Sequence, residues 1–123
     1  MSPRKETAVS FLQLAGAGRV REAFERHVAP NFVHHNPYFK GDAESLKFGM
    51  EQSYKQFPNK VLEVKQVLEE GDLVAVHMRI QLALGQQDYA VIHIFRFEGD
   101  RIAEIWEAGQ MVPENLVNEN GMF

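Results

Sequence analysis

Between Lys60 and Gln110 apolar and polar residues alternate, and turn-forming residues interrupt the alternation at Glu70-Gly71-Asp72, Gly85-Gln86-Gln87-Asp88 and Glu98-Gly99-Asp100. Few folds accommodate that pattern. β-Branched and aromatic residues at a period of two make strands with one buried face, and glycine-bearing turns at this spacing join them as hairpins. Four strands are predicted, over residues 60–69, 73–83, 89–97 and 101–110, in an antiparallel meander.

Ahead of this region the period is helical. Ala8, Phe11, Leu12 and Ala15 recur at helical spacing behind Ser2-Pro3, an N-cap with proline in the first turn, and the run stops at Gly16-Ala17-Gly18. Val20, Ala23, Phe24 and His27 share a second helical face that ends before Pro30. A third run opens at Gly41-Asp42, aligns Leu46, Met50, Tyr54 and Phe57, and ends at Pro58-Asn59. The chain between Pro30 and Gly41 reads as irregular. Helices followed by a meander define an α+β class, a cone-shaped fold with about three N-terminal helices packed on a curved, four-stranded antiparallel sheet. A cone closed at one end by helices leaves a cavity at the other, the expected place for a ligand.

With 123 residues, 45% of them hydrophobic, the chain is expected to form a single domain over residues 1–123. There is no cysteine, which excludes disulfides, thiolate zinc sites and a cysteine nucleophile. A net charge of −4 is the opposite of what phosphate-backbone binding requires, so no nucleic-acid partner is expected. No apolar run approaches the ~20 residues of a bilayer span, so no membrane partner is expected either, and a cytoplasmic location is.

Few residues carry chemistry. His34-His35-Asn36-Pro37-Tyr38 is a polar stretch stiffened by proline, able to present imidazole and amide groups to a ligand oxygen; it also suits a turn whose Asn36 caps its own backbone. Periodicity sends His77 and Arg79 to the solvent face of their strand. His93 instead interrupts the apolar stripe Tyr89, Val91, Phe95, Phe97, where burial disfavours its charged form, so it is either a base or donor or a core histidine bonded to a neighbour. In the last strand Glu104 and Glu107 lie on opposite faces; an inward Glu107 beside Trp106 is expected to have its pKa raised by desolvation. Either carboxylate could instead pair with Arg79, Arg96 or Arg101. No two of the five histidines sit at metal-binding spacing within one element, and there is no glycine-rich phosphate loop and no nucleophile elbow, so neither metal nor cofactor is expected.

Phe32-Val33-His34-His35-Asn36-Pro37 with Gly41, Gly71-Asp72-Leu73-Val74-Ala75-Val76-His77, the run from Ile94 through Trp106-Glu107, and Asn118-Glu119-Asn120-Gly121-Met122-Phe123 together resemble a SnoaL-like protein of the nuclear-transport-factor-two-like superfamily. The resemblance covers nearly the whole chain. It implies the same cone of helices on a curved sheet, usually dimeric through the sheet. It also implies an activity drawn from polyketide cyclases, ketosteroid isomerases or epoxide hydrolases, or a pocket without catalysis, because fold alone does not define function. The family's His-Asn-Pro element falls on His35, Asn36 and Pro37, and the carboxylate that ends its tryptophan strand falls on Glu107, where relatives often have Asp. Where many relatives read Val-Asp-Ile-Phe-Arg this chain has Ile92-His93-Ile94-Phe95-Arg96, and for Glu-His-Trp-Asp it has Glu104-Ile105-Trp106-Glu107, as if a histidine and a carboxylate had exchanged strands. By resemblance to hydrolase relatives, His77 and Arg79 would face the pocket, against their periodicity.

The resulting expectation is a small enzyme that moves a proton next to a carbonyl. His93 or Glu107 would take the proton, and a donor among His35, Asn36 and His77 would stabilise the enolate oxygen. Phe11, Met50, Tyr54, Phe95 and Trp106 would wall the cavity around a small apolar carbonyl compound. The alternatives are a non-catalytic small-ligand-binding domain and an epoxide hydrolase using Asn36 and Glu107 to hold water.

Overall fold

The computed structural model describes residues 1–123. Three helices, α1 (Pro3–Gly16), α2 (Val20–His27) and α3 (Ala43–Gln56), alternate with a first strand β1 (Val28–His34) and precede β2 (Val61–Glu70), β3 (Leu73–Gln81), β4 (Asp88–Glu98) and β5 (Arg101–Met111). The expected caps are in place: the Ser2 side chain accepts from the Lys5 amide, and Asp42 accepts from the Ser45 amide. Gly71 (φ 60) and Gly99 (φ 62) take the positive φ that the first position of a two-residue hairpin turn requires.

The four meander strands pair antiparallel as expected, and the sheet has a fifth member in the order β1-β5-β4-β3-β2. β1, read from sequence as irregular, runs parallel to β5 at the sheet edge. The edge position admits Pro30, which has no amide hydrogen to give to a ladder. Only Val28, Val33 and His34 are in register with β5, with an irregularity between, so the segment never shows a clean alternation. That edge strand carries the chain past β5 and delivers the loop after His34 to the open end of the cone. There the His35 amide donates to the Ile105 carbonyl at 3.1 Å, and the Gly41 carbonyl accepts from the His34 amide at 3.3 Å.

The helices cover one face of the sheet. Phe11, Val20, Val74, Val76, Met78, Phe95, Phe97 and Ile102 are fully buried between the layers. Phe11 meets Phe24 and Phe95 edge-on, with ring centroids 5.2 and 6.0 Å apart, a preferred aromatic geometry. No helix is long and apolar enough to cross a membrane.

Candidate functional site

Between α1, α3 and the inner face of the sheet lies a cavity of about 350 Å³, within the usual size of small-molecule sites. Its walls are apolar, built from Phe11 and Leu12 of α1, Leu46 and Met50 of α3, Leu62 of β2 and Ile80 of β3. At one end stand His93, Glu107, Asn36 and His34.

Sheet register brings the first two together. His93 and Glu107 are cross-strand partners on the inner face, with His93 Nε2 3.3 Å from Glu107 Oε2. The other carboxylate oxygen accepts from Asn36 Nδ2. Asn36 is fixed in turn by its own loop, since its Oδ1 accepts from the Tyr38 amide at 2.9 Å. The turn-capping and site-forming readings of Asn36 therefore both hold, one at each end of the amide.

Glu107 corrects an expectation. Its pKa is lowered, not raised: the His93 imidazole acts most strongly, burial opposes it, and the Asn36 amide and the His34 ring add to the lowering. The desolvation argument was sound in sign but incomplete, because it omitted the donors that gather around the charged form. The carboxyl is about a third exposed at the cavity mouth, against 11% for the His93 side chain. His93 Nδ1 is buried and has no hydrogen-bond partner, and the ring lies over Phe95 with centroids 6.0 Å apart.

His34 is a further site residue that sequence reasoning did not single out as such. Its Nδ1 accepts from the Asn36 amide at 3.1 Å, which leaves the hydrogen on Nε2 to donate to the Lys40 carbonyl at 2.6 Å. Both nitrogens are spent on holding the loop from His34 to Gly41. Phe39, at the tip of that loop, lodges against Gly49 of α3 and closes one side of the cavity. A Cβ at Gly49 would collide with the ring. Gly49→Ala is thus expected to drive Phe39 out of the cavity wall and weaken ligand binding several-fold. Melting should change by no more than a few degrees, because alanine in a helix recovers roughly 0.5–1 kcal/mol; parallel ligand titration and thermal melts check this.

The other candidate residues lie elsewhere. His35 is on the outer face of the sheet, where its ring stacks on Trp106 (centroids 5.2 Å, planes 6° apart) and its Nε2 meets Glu104 at 2.6 Å. Arg96 reaches the same carboxylate at 2.9 Å, and these two partners hold Glu104 below the usual carboxylate range. Neither His35 nor Trp106 touches the cavity. The cause is strand alternation: Glu104 and Trp106 share one face of β5, Ile105 and Glu107 the other. His77 also faces outward, its ring over Phe123 and its Nδ1 3.1 Å from Gln66 Nε2. Arg79 pairs there with Asp88 at 2.8 Å and Glu63 at 3.2 Å. Periodicity, not resemblance, gave the correct face for both. Tyr54 turns away to cover Gly18 at the α1–α2 connection, and Phe95 is wholly buried beneath His93 without reaching the cavity. Of the expected wall residues, Phe11 and Met50 line it.

Lys60 enters the wall at a different place, next to Ser53. A single lysine after Pro58-Asn59 carries no sequence signal that separates it from a loop residue. No group of three or more histidine or acidic side chains is gathered in a metal-holding arrangement.

Residues 8–105 match the SnoaL-like domain family, and the chain belongs to that family. No curated protein matches it. Among solved structures it is similar to AclR of Streptomyces galilaeus, a proposed hydroxylase, with 20% identity and a TM-score of 0.74 over 87% of this chain and 88% of that one. It is also similar to a proposed polyketide cyclase from Acidithiobacillus ferrooxidans, with 17% identity and a TM-score of 0.74 over 89% of each chain. IdmH, a proposed polyketide cyclase from Streptomyces antibioticus, aligns with 23% identity and a TM-score of 0.66 over 87% of this chain and 91% of its own. At these identities the likeness is one of fold.

Proposed function

We propose that the cavity binds a small carbonyl compound and moves a proton at the carbon next to the carbonyl, as a cyclase of aldol type or an isomerase does. The observation that carries this reading is the convergence of Glu107, His93 and Asn36 on one apolar cavity. A binding pocket needs one polar anchor, whereas proton transfer needs a base and a donor placed together.

The roles divide by access. His93 points Nε2 at Glu107 and keeps Nδ1 buried, so its nitrogens are turned from a ligand, while the carboxylate stands at the cavity mouth. Glu107 is therefore the base, and His93 holds it ionised and oriented. A carboxylate whose pKa is not raised is an adequate base for this chemistry when the enolate is stabilised. Asn36 Nδ2 has a second hydrogen beyond the one given to Glu107, which makes it the donor for the enolate oxygen, in a place where water is scarce and a fixed donor is worth most.

Exchange of ketone α-protons with D₂O, followed by NMR on a panel of cyclic and straight-chain ketones, tests the reading. Catalysed exchange is expected, and binding without exchange would leave the cavity a carrier site. The pH dependence adds a second check. Because the pKa of Glu107 is lowered, the base stays ionised into acid, and exchange should fall only below the ordinary carboxylate range. His93→Phe removes the largest cause of that lowering and leaves the opposing burial, so the acid limb should move to higher pH. A limb that stays in place in this variant would mean that another group titrates.

A further inference from the structure

The proton-transfer machinery occupies only one end of the cavity. Lys60 lines the other, on the turn into β2, and its Nζ donates to Ser53 Oγ of α3 at 2.7 Å. No carboxylate lies within ion-pair distance of it, although most other cationic side chains bordering this fold are paired: Arg21 with Glu44 and Glu51, Arg79 with Glu63 and Asp88, Arg96 with Glu98 and Glu104. Leu62, Ile80, Leu82 and Gly16, which line the same cavity, have no side-chain acceptor to offer it. Burial accordingly lowers the pKa of the amine, with no opposing charge to restore it.

A half-buried ammonium with one hydroxyl partner is costly unless an anion completes it. The protein supplies none, and the space in front of Lys60 is the ligand cavity itself. Register places the two polar ends well apart. His93 lies opposite Val76 of β3, while Lys60 immediately precedes Val61, the partner of Gln81. Five residues of strand separate these levels, roughly 17 Å along β3. A ligand that meets both ends is therefore elongated, apolar in the middle and anionic at the Lys60 end.

We infer that the ligand is an amphipathic monocarboxylate whose carboxylate is held by Lys60 and Ser53. Building on the proton-transfer reading, its enolisable carbonyl would lie at the Glu107 end, which narrows the substrate class to keto acids and related acyl chains with a free acid terminus. The single ammonium and single hydroxyl match the two oxygens of one carboxylate, with a charge-assisted bond from nitrogen and a second from Oγ.

The test uses octanoate and methyl octanoate, equal in chain length and lacking a ketone, so that the anchor is measured apart from any chemistry. NMR titration of the full chain at neutral pH is expected to show octanoate binding at least about tenfold tighter than the ester, the range of a hydrogen bond to a charged group. In Lys60→Met, which keeps the length and apolar stem of the side chain, this preference should vanish; Lys60→Arg should retain it. Equal affinity of acid and ester in the wild-type protein overturns the inference, as does failure of both to bind or survival of the preference in Lys60→Met. The wild-type comparison stands even if the variant does not fold. Ketone exchange without an acid preference would remove the anchor and leave the proton-transfer reading intact; an acid preference without ketone exchange would do the reverse.

Discussion

Glu107→Gln is expected to reduce ketone α-proton exchange by roughly 10²–10⁴-fold, the range lost with a positioned acid–base group. The substitution is close to isosteric. The amide oxygen can still accept from Asn36, and the side chain sits at the cavity mouth, about a third exposed, so the fold should tolerate it. What disappears is the lone pair of an ionised carboxylate facing the ligand. Glu104→Gln is the matched control, because that carboxylate lies three residues earlier on the other face of β5, bonded to His35 and Arg96. Its exchange rate should match the wild type. If Glu107→Gln exchanges as fast as the wild type with circular dichroism unchanged, Glu107 is not the base and the proposed chemistry fails at its first step.

Residues on β5, on β4 and in the loop after β1 show what a sequence can and cannot disclose. Alternation along β5 correctly separates Glu104 from Glu107, and alternation along β4 correctly sends His93 inward, because a strand's side-chain period is a local property. The hairpin at Gly99-Asp100 alone does not give their pairing: the ladder shifts by one residue between Arg96 and Phe97, and without that bulge His93 would stand opposite Trp106 instead of Glu107. His35 was misplaced for a related reason. Its position depends on β1, a parallel edge strand that closes against β5 across more than seventy residues of chain and has no local pattern, only a proline in its middle. The loop that follows could be read as polar and rigid, but which of its neighbours His34, His35 and Asn36 would turn inward depends on that pairing. Lys60 was invisible because its meaning lies in what surrounds it: an apolar wall and the absence of a carboxylate, neither of which is written next to it in the chain. The pKa of Glu107 was misjudged likewise. Burial can be guessed from a stripe of apolar residues, whereas the donors that offset it come from β4 and from the loop after β1.

The largest loss of stability is expected from Phe95→Ala. Phe95 is fully buried, its ring meets Phe11 edge-on at 6.0 Å, and its strand neighbours Val74 and Ile105 are buried with it. Removing the ring leaves a cavity at the junction of α1 with the sheet centre, where two strands on each side prevent the backbone from collapsing into the space. Substitutions of this kind cost about 3–5 kcal/mol, which for a chain of this length corresponds to a fall in Tm of roughly 10–20 °C. Urea unfolding with an unchanged slope would assign the loss to the folded state. Phe123→Ala, which removes a ring lying over His77 on the outer face, should cost far less, because that residue is 42% exposed where Phe95 is fully buried. Phe95→Leu separates stability from function. Leucine refills most of the volume and should recover most of the stability, but it lacks the flat face over which the His93 ring lies at 6.0 Å. The polar partner of His93 is Glu107, since Nδ1 has none. A loosened imidazole weakens the cause that keeps Glu107 ionised, so Phe95→Leu should fold well, exchange more slowly, and show an acid limb displaced toward higher pH. A variant that folds well and exchanges at the wild-type rate would mean that the carboxylate and amide suffice without an oriented imidazole, and that His93 belongs to the core and not to the site.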